Sequence, residues 1–174
     1  MNPGPEVPAE ASPSPSPSPE PEQRWVALIR GDDRPGTLTA LSSVFSTRGV
    51  SFTSLATGGV DGDVGSIAVT FCATSRRARL LARTVERLSV VRSVVARPVE
   101  DPQVRAAGVV RMPDGVPFSP APAADLEWSG DASAGRPVLV EGPFTQVTTV
   151  VERARREGAV MTAVMVLGIA GVDR

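Results

Sequence analysis

The 174-residue chain contains no histidine, no lysine and no tyrosine, and all 18 of its basic residues are arginine. A serine or cysteine nucleophile would have no imidazole to activate it, and no lysine is present to form a Schiff base. Only carboxylates and one thiol remain for proton transfer near neutral pH. The sole cysteine, Cys72, cannot form an internal disulfide, and without histidine it cannot complete a nitrogen or sulfur shell for a metal. These absences argue against an enzyme, a metal site or any cofactor. Aromatic residues make up 4% of the chain, so the core must be built from Val, Ala and Leu. A net charge of −1 supplies no field for nucleic acid or for an anionic membrane surface. The longest nearly unbroken apolar run, Ala159 to Val172, is interrupted by Thr162 and is shorter than the ~18 to 20 residues of a membrane span. It is expected to be a buried strand. Residues 1–23 carry no basic residue and no apolar stretch of the signal-peptide kind, which points to the cytoplasm.

Residues 1–22, with the run Ser12-Pro13-Ser14-Pro15-Ser16-Pro17-Ser18-Pro19, lack the apolar surface and the amide donors to join a core. They read as a disordered, polyproline-like tail. Regular signals begin at Trp25. An apolar run to Ile29 is followed by Asp33-Arg34-Pro35-Gly36-Thr37-Leu38, then by Leu38, Leu41, Val44 and Phe45 at helical spacing, and then by Gly49 as a left-handed stop. Pro35 suits a first helical position, and Gly36 is expected to clear space beside the helix start. Val50 to Gly58 and Val64 to Cys72 read as a hairpin around Gly58 to Asp63. Ser75 is placed as the cap of a helix with Ala78, Leu81, Val85 and Leu88 on one face and Arg76, Arg79, Arg83 and Arg87 on the other. The arginine stripe reads as a solvated face. Val90 to Pro98 closes the unit as a strand.

The order β-α-β-β-α-β over residues 23–99 is the ferredoxin-like arrangement, an α+β fold with two helices on one face of a four-stranded antiparallel sheet. Residues 100–174 read as a reduced second unit of the same kind. It comprises a strand at Gln103 to Met112, a Pro-rich loop over 113–136, a strand from Val138 to Glu141, and a helix from Pro143 with Phe144, Val147, Val151 and Ala154 on one face. Glu152 and Arg156 are spaced as an i, i+4 pair, and the strand Ala159 to Ile169 follows Gly158. Cys72 is expected to pack as a small hydrophobe, and Asp61 and Asp63 lack the bidentate glutamate of a calcium loop. Trp128 fits either a core plug or a partner anchor.

With Asp-Arg-Pro-Gly-Thr-Leu after a strand, Phe45-Ser46-Thr47-Arg48-Gly49 at the helix end and Ser54-Leu55 in the next strand, residues 25–99 resemble an ACT domain. More closely, they are similar to the small regulatory subunit family of acetolactate synthase, whose second ferredoxin-like domain matches residues 100–174 more weakly. The resemblance implies a homodimer through the ACT sheet and a small amino-acid effector, usually valine, held at the helix-start loop. It also implies a larger, thiamine-diphosphate-dependent catalytic subunit as partner in branched-chain amino-acid biosynthesis. Carried onto this chain, the ligand-binding positions are Asp33, Arg34, Pro35, Gly36, Thr37, Leu38 and Ser51. The family has Asn where Asp33 and Ser51 stand; the first exchange removes an amide donor and adds negative charge, and the second shortens the reach. Weak valine binding is the expected result, with Asp33 available to an ammonium group. Two other readings fit the same residues: a free-standing small-molecule sensor, and an assembly protein with a degenerate site.

Overall fold

The computed structural model describes residues 20–121 and 125–169. Its first unit runs β1 (Gln23–Asp32), α1 (Thr37–Thr47), β2 (Phe52–Asp61), β3 (Val64–Ala73), α2 (Ser75–Glu86) and β4 (Val91–Pro98), with sheet order β2-β3-β1-β4. Neighbouring strands are all antiparallel. Alternation decides the faces: Trp25, Ala27 and Ile29 of β1 and Val69 and Phe71 of β3 lie under the helices. The helices return Leu41 and Phe45 from α1 and Ala78, Leu81 and Val85 from α2 into the same core. Phe45 meets the rings of Phe52 and Phe71 edge-on, at centroid separations of 4.5 and 5.3 Å, and so compensates for the scarcity of aromatic residues.

Local chemistry sets the boundaries. The hairpin turn is two residues, Gly62-Asp63, rather than the six expected, because Gly62 adopts φ 63° and supplies the twist that a tight turn requires. Asp61 consequently still pairs with Val64. Thr74, not Ser75, caps α2, its hydroxyl accepting from the Arg77 amide at 3.3 Å. Pro35 precedes the helix instead of opening it, since Gly36 occupies the cap position. Gly49 takes positive φ after α1, and Gly158 does so after the helix that ends at Arg156, as their placement predicts.

The second unit runs β5 (Val104–Arg111), β6 (Glu127–Ser129), β7 (Val138–Pro143), α3 (Phe144–Arg156) and β8 (Met161–Ile169) in the order β6-β7-β5-β8, repeating the first topology without its first helix. The stretch 113–136 is thus not all loop. β6 is too short for a periodic signal, and its pairing with β7 (Trp128 opposite Val140) holds it. In place of the missing helix, Phe118 and Met112 are buried in the core, with the Arg153 guanidinium 4.7 Å over the Phe118 ring. Arg153 also donates to the Ser119 carbonyl. On α3, Glu152 pairs with Arg155 at 2.9 Å rather than with Arg156, whose Nε reaches the Glu152 carbonyl. β8 is not buried on both faces: Met161, Met165 and Leu167 are exposed on the side of the sheet away from α3, which nothing among the described residues covers.

The two units share a core. Val26 of β1 and Val99 belong to one buried cluster with Phe144, Val151 and Val166, while Leu28, Ala68 and Val95 pack against it. The helix-free face of the first sheet therefore finds part of its cover within the same chain, leaving the β2 and β4 edges unpaired among the described residues. Cys72, on that face, is exposed and not packed. The proposed tail, 1–22, ends differently from expectation. Glu20 accepts from the amides of Ser75 (3.1 Å) and Arg76 (3.4 Å) at the start of α2, and Glu22 lies 3.6 Å from Arg77. The reading of residues 1–19 as disordered falls outside the described residues. No helix is long and apolar enough to cross a membrane among the described residues.

Candidate effector site at the first helix start

β1 ends in a clasp. The Asp32 amide donates to the Val90 carbonyl at 2.8 Å, the Asp33 amide to the Asp63 carbonyl at 2.8 Å, and the buried Thr37 hydroxyl to the Asp32 carbonyl at 2.8 Å. The turn is thereby tied to Val90 just ahead of β4, to the hairpin and to its own helix. Gly36 takes φ 94°, a conformation costly for side-chain-bearing residues. A Cβ there would meet nothing within 4 Å, so the glycine is needed for its backbone angle and does not clear space. No side chain caps α1, and the amides of Leu38 and Thr39 have no acceptor among the described residues. Two free donors at the positive end of a helix attract an anion.

Beside Leu38 lies a cavity of about 320 Å³ between the helix-start turn and the turn-side half of the β2–β3 hairpin. Asp33, Arg34, Thr37 and Leu38 line it, facing Thr57 and Ser66. Leu38 is 42% exposed and provides an apolar wall. Gly31, Gly58 and Gly65, on adjacent strands, also line it, and a Cβ on Gly65 would stand 3.7 Å from the Asp33 side chain. Gly31 is required by close approach, since a Cβ would come within 2.7 Å of the Val90 carbonyl oxygen.

The charges are partitioned. The Asp32 carboxylate, only 17% exposed, lies 2.9 Å from Arg92 Nε and 3.3 Å from Arg34 Nε, and Arg92 also reaches Asp63 at 3.9 Å. Asp33 makes no ion pair among the described residues. The turn thus offers a cation-ready carboxylate and anion-ready amides around one small cavity.

Four of the seven sequence-derived positions, Asp33, Arg34, Thr37 and Leu38, line the cavity; Pro35 and Gly36 shape the turn without lining it. Ser51 lies elsewhere. The chain reverses through α1, so Phe52 pairs with Phe71 whereas the cavity sits where Gly58 pairs with Ser66, at the other end of the strands. Asp32, Arg92, Thr57 and Ser66 escaped the sequence reading; the signal for them was the glycines in strand interiors.

No protein-family model and no curated protein matches this sequence. Among solved structures, the acetolactate synthase small subunit from Thermotoga maritima superposes with a TM-score of 0.58 at 12% identity, over 84% of this chain and 98% of that one. The regulatory subunit of aspartate kinase from Thermus thermophilus gives a TM-score of 0.43 at 16% identity, over 76% of this chain and 90% of that one. The first likeness spans both units and nearly the whole of the other protein. The chain is an α+β protein of two ferredoxin-like units with the ACT-like fold of the acetolactate synthase small subunit.

Proposed function

We propose that this chain is a non-catalytic regulatory subunit that takes a small amino-acid-like effector at the β1–α1 turn and modulates a larger catalytic partner. One observation supports the reading above the others: Leu38, whose amide is uncapped, and Asp33, which makes no ion pair among the described residues, line one cavity at a helix start. An α-amino acid presents complementary groups, its carboxylate to the amides and its ammonium to Asp33. The absence of His, Lys and Tyr is consistent with a partner that performs the chemistry. By analogy with the protein of shared fold, that partner is an acetolactate synthase catalytic subunit, thiamine-diphosphate-dependent, and the setting is branched-chain amino-acid biosynthesis.

A homodimer through the first sheet belongs to the same proposal. β2 is an edge strand, and antiparallel pairing of two copies centred on Leu55 carries Ser51 of one copy towards Gly59 of the other. That is beside the cavity lined by Thr57 and Gly58. A dimer thereby brings Ser51 to a site that a single chain cannot give it.

Isothermal titration with valine, leucine, isoleucine and a wider amino-acid panel tests the effector. Valine is expected to bind weakly, at ~1 mM or above, because Asp33 and Ser51 replace the family's amides. Exchanging both for Asn should strengthen it. Micromolar valine binding by the natural chain refutes the reading of those two positions, and binding of no amino acid refutes the effector. Co-purification from the native host, with the partner identified by mass, tests the regulatory role.

A further inference from the structure

A second cavity, of about 260 Å³, lies between the two units near the opposite end of the first sheet from the helix-start turn. Its floor is a cluster of hydroxyls. The β2 register slips between Phe52 and Ser54, so that two consecutive hydroxyl residues face one partner. Thr53 Oγ1 is 2.7 Å and Ser54 Oγ 2.6 Å from Thr70 Oγ1, and Thr70 is 3% exposed. Three hydroxyls carry three protons, and the two bonds use two of them. However the bonds are oriented, one O–H remains without an acceptor among the described residues.

Charge and shape narrow the ligand. Arg24 and Arg155 contribute two positive charges and Glu152 one negative. Glu152 is already engaged by Arg155 at 2.9 Å, and Arg155 Nε donates to Thr162 at 2.8 Å. Arg24 forms no ion pair among the described residues and is the charge left over. Across from it, Phe144, Val151, Val164 and Val166 make an apolar wall from the second unit. The volume lies just below the ~300 Å³ at which cavities begin to take drug-sized molecules.

We propose that this inter-unit cleft binds a small aliphatic monocarboxylate. Its carboxylate meets the Arg24 guanidinium and the spare hydroxyl, and its branched or short alkyl tail lies on the valine wall. Arg24 and the hydroxyls come from the first unit and the wall from the second, so the ligand fastens one to the other. A single excess positive charge favours a monoanion over a zwitterion. The site is separate from the helix-start cavity and does not rest on the effector reading.

Isothermal titration and thermal shift on the full chain, with 3-methylbutanoate, 3-methyl-2-oxobutanoate, valine, the uncharged 3-methylbutanol and inorganic phosphate, test it. The two organic anions are expected to bind and raise the melting temperature, valine at least tenfold more weakly and the alcohol not at all. Arg24→Gln should weaken the anions at least tenfold, about 1.4 kcal/mol. Thr70→Val should weaken them too, while Gly36→Asp should leave them unchanged. Arg24 is exposed, so its variant should keep the unliganded melting temperature. The proposal fails if no carboxylate binds up to ~10 mM, if phosphate binds as tightly, or if Arg24→Gln binds as the natural chain does. It also fails if carboxylate binding falls in Gly36→Asp and not in Arg24→Gln, which would seat the ligand at the helix start.

Discussion

Gly108→Ala is the smallest change with a large expected effect. Gly108 lies mid-strand in β5 beneath α3, and a Cβ there would stand 2.9 Å from Val140 Cγ2, 2.9 Å from Val147 Cγ1 and 3.0 Å from Val151 Cγ2. Comfortable carbon contacts are ~3.5 to 4.0 Å, so all three neighbours must yield by about half an ångström or more. All are β-branched, and their stiff χ1 torsions deny them an easy rotation away. Two of them sit one turn apart on α3, so the helix must lift as a body from the sheet. Overpacking of this kind costs about 1 to 3 kcal/mol, or roughly 2 to 12 °C of melting temperature for a chain of this size. Thermal unfolding followed by circular dichroism, with urea titration beside it, reads the loss. Gly59→Ala is the control: its Cβ would meet nothing within 4 Å, and it should be neutral or raise stability by a few tenths of a kcal/mol. Equal melting temperatures for Gly108→Ala and the natural chain would refute the packing argument. α3 also walls the inter-unit cleft, so Gly108→Ala should disturb carboxylate binding there as well.

Removing residues 1–19 should leave the melting temperature unchanged within ~1 °C, whereas removal through residue 22 should lower it, because Glu20 and Glu22 then leave the start of α2. Hydrogen bonding from the Ser75 side chain, with the Arg76 and Ser75 amides and the Arg79 charge, holds the Glu20 carboxyl below its ordinary range. Between that lowered value and the ordinary one the unfolded chain binds more protons, so this contribution is full above the glutamate range and lost as pH falls through it. Glu20→Gln should therefore show a shallower decline of melting temperature from pH ~6 to ~3 than the natural chain. Leu41→Asp places an unpaired charge at a position 0% exposed and should unfold the first unit, read as loss of far-ultraviolet helicity. Sedimentation at micromolar concentration should find a dimer, and Leu55→Pro, which bars β2 from edge pairing, should shift it to monomer; a natural chain that sediments only as monomer refutes edge pairing.

Periodicity was most informative where burial is one-sided. Leu41, Phe45, Ala78, Leu81 and Val85 all lie in the core at the spacing that marks them. It failed at β6, where three residues owe their strand to β7, and along Met161–Ile169, where the apolar run continues across an uncovered sheet face and so mimics a doubly buried strand. At the site, the turn was legible because its chemistry is local: Pro, Gly and Thr in succession. Arg92, Thr57 and Ser66 reach the same place only through strand pairing, and no local pattern encodes register. Ser51, carried over as a family position, lies towards the far end of the strands within one chain, and only the proposed pairing of two copies brings it beside the cavity.

The way the cores divide has a kinetic consequence. One cluster, from Trp25 to Val85 with Val94 and Ala96 against it, closes entirely within residues 25–96. The other cannot close within its own stretch, since it borrows Val26 and is flanked by Leu28, Ala68 and Val95 from strands already laid down by the first. A chain emerging from its N-terminus can thus complete the first unit and then offer its bare sheet face as a template on which β5, α3 and β8 condense. The order of synthesis and the order of dependence coincide, which keeps the valine-rich C-terminal strands from having to collapse on themselves.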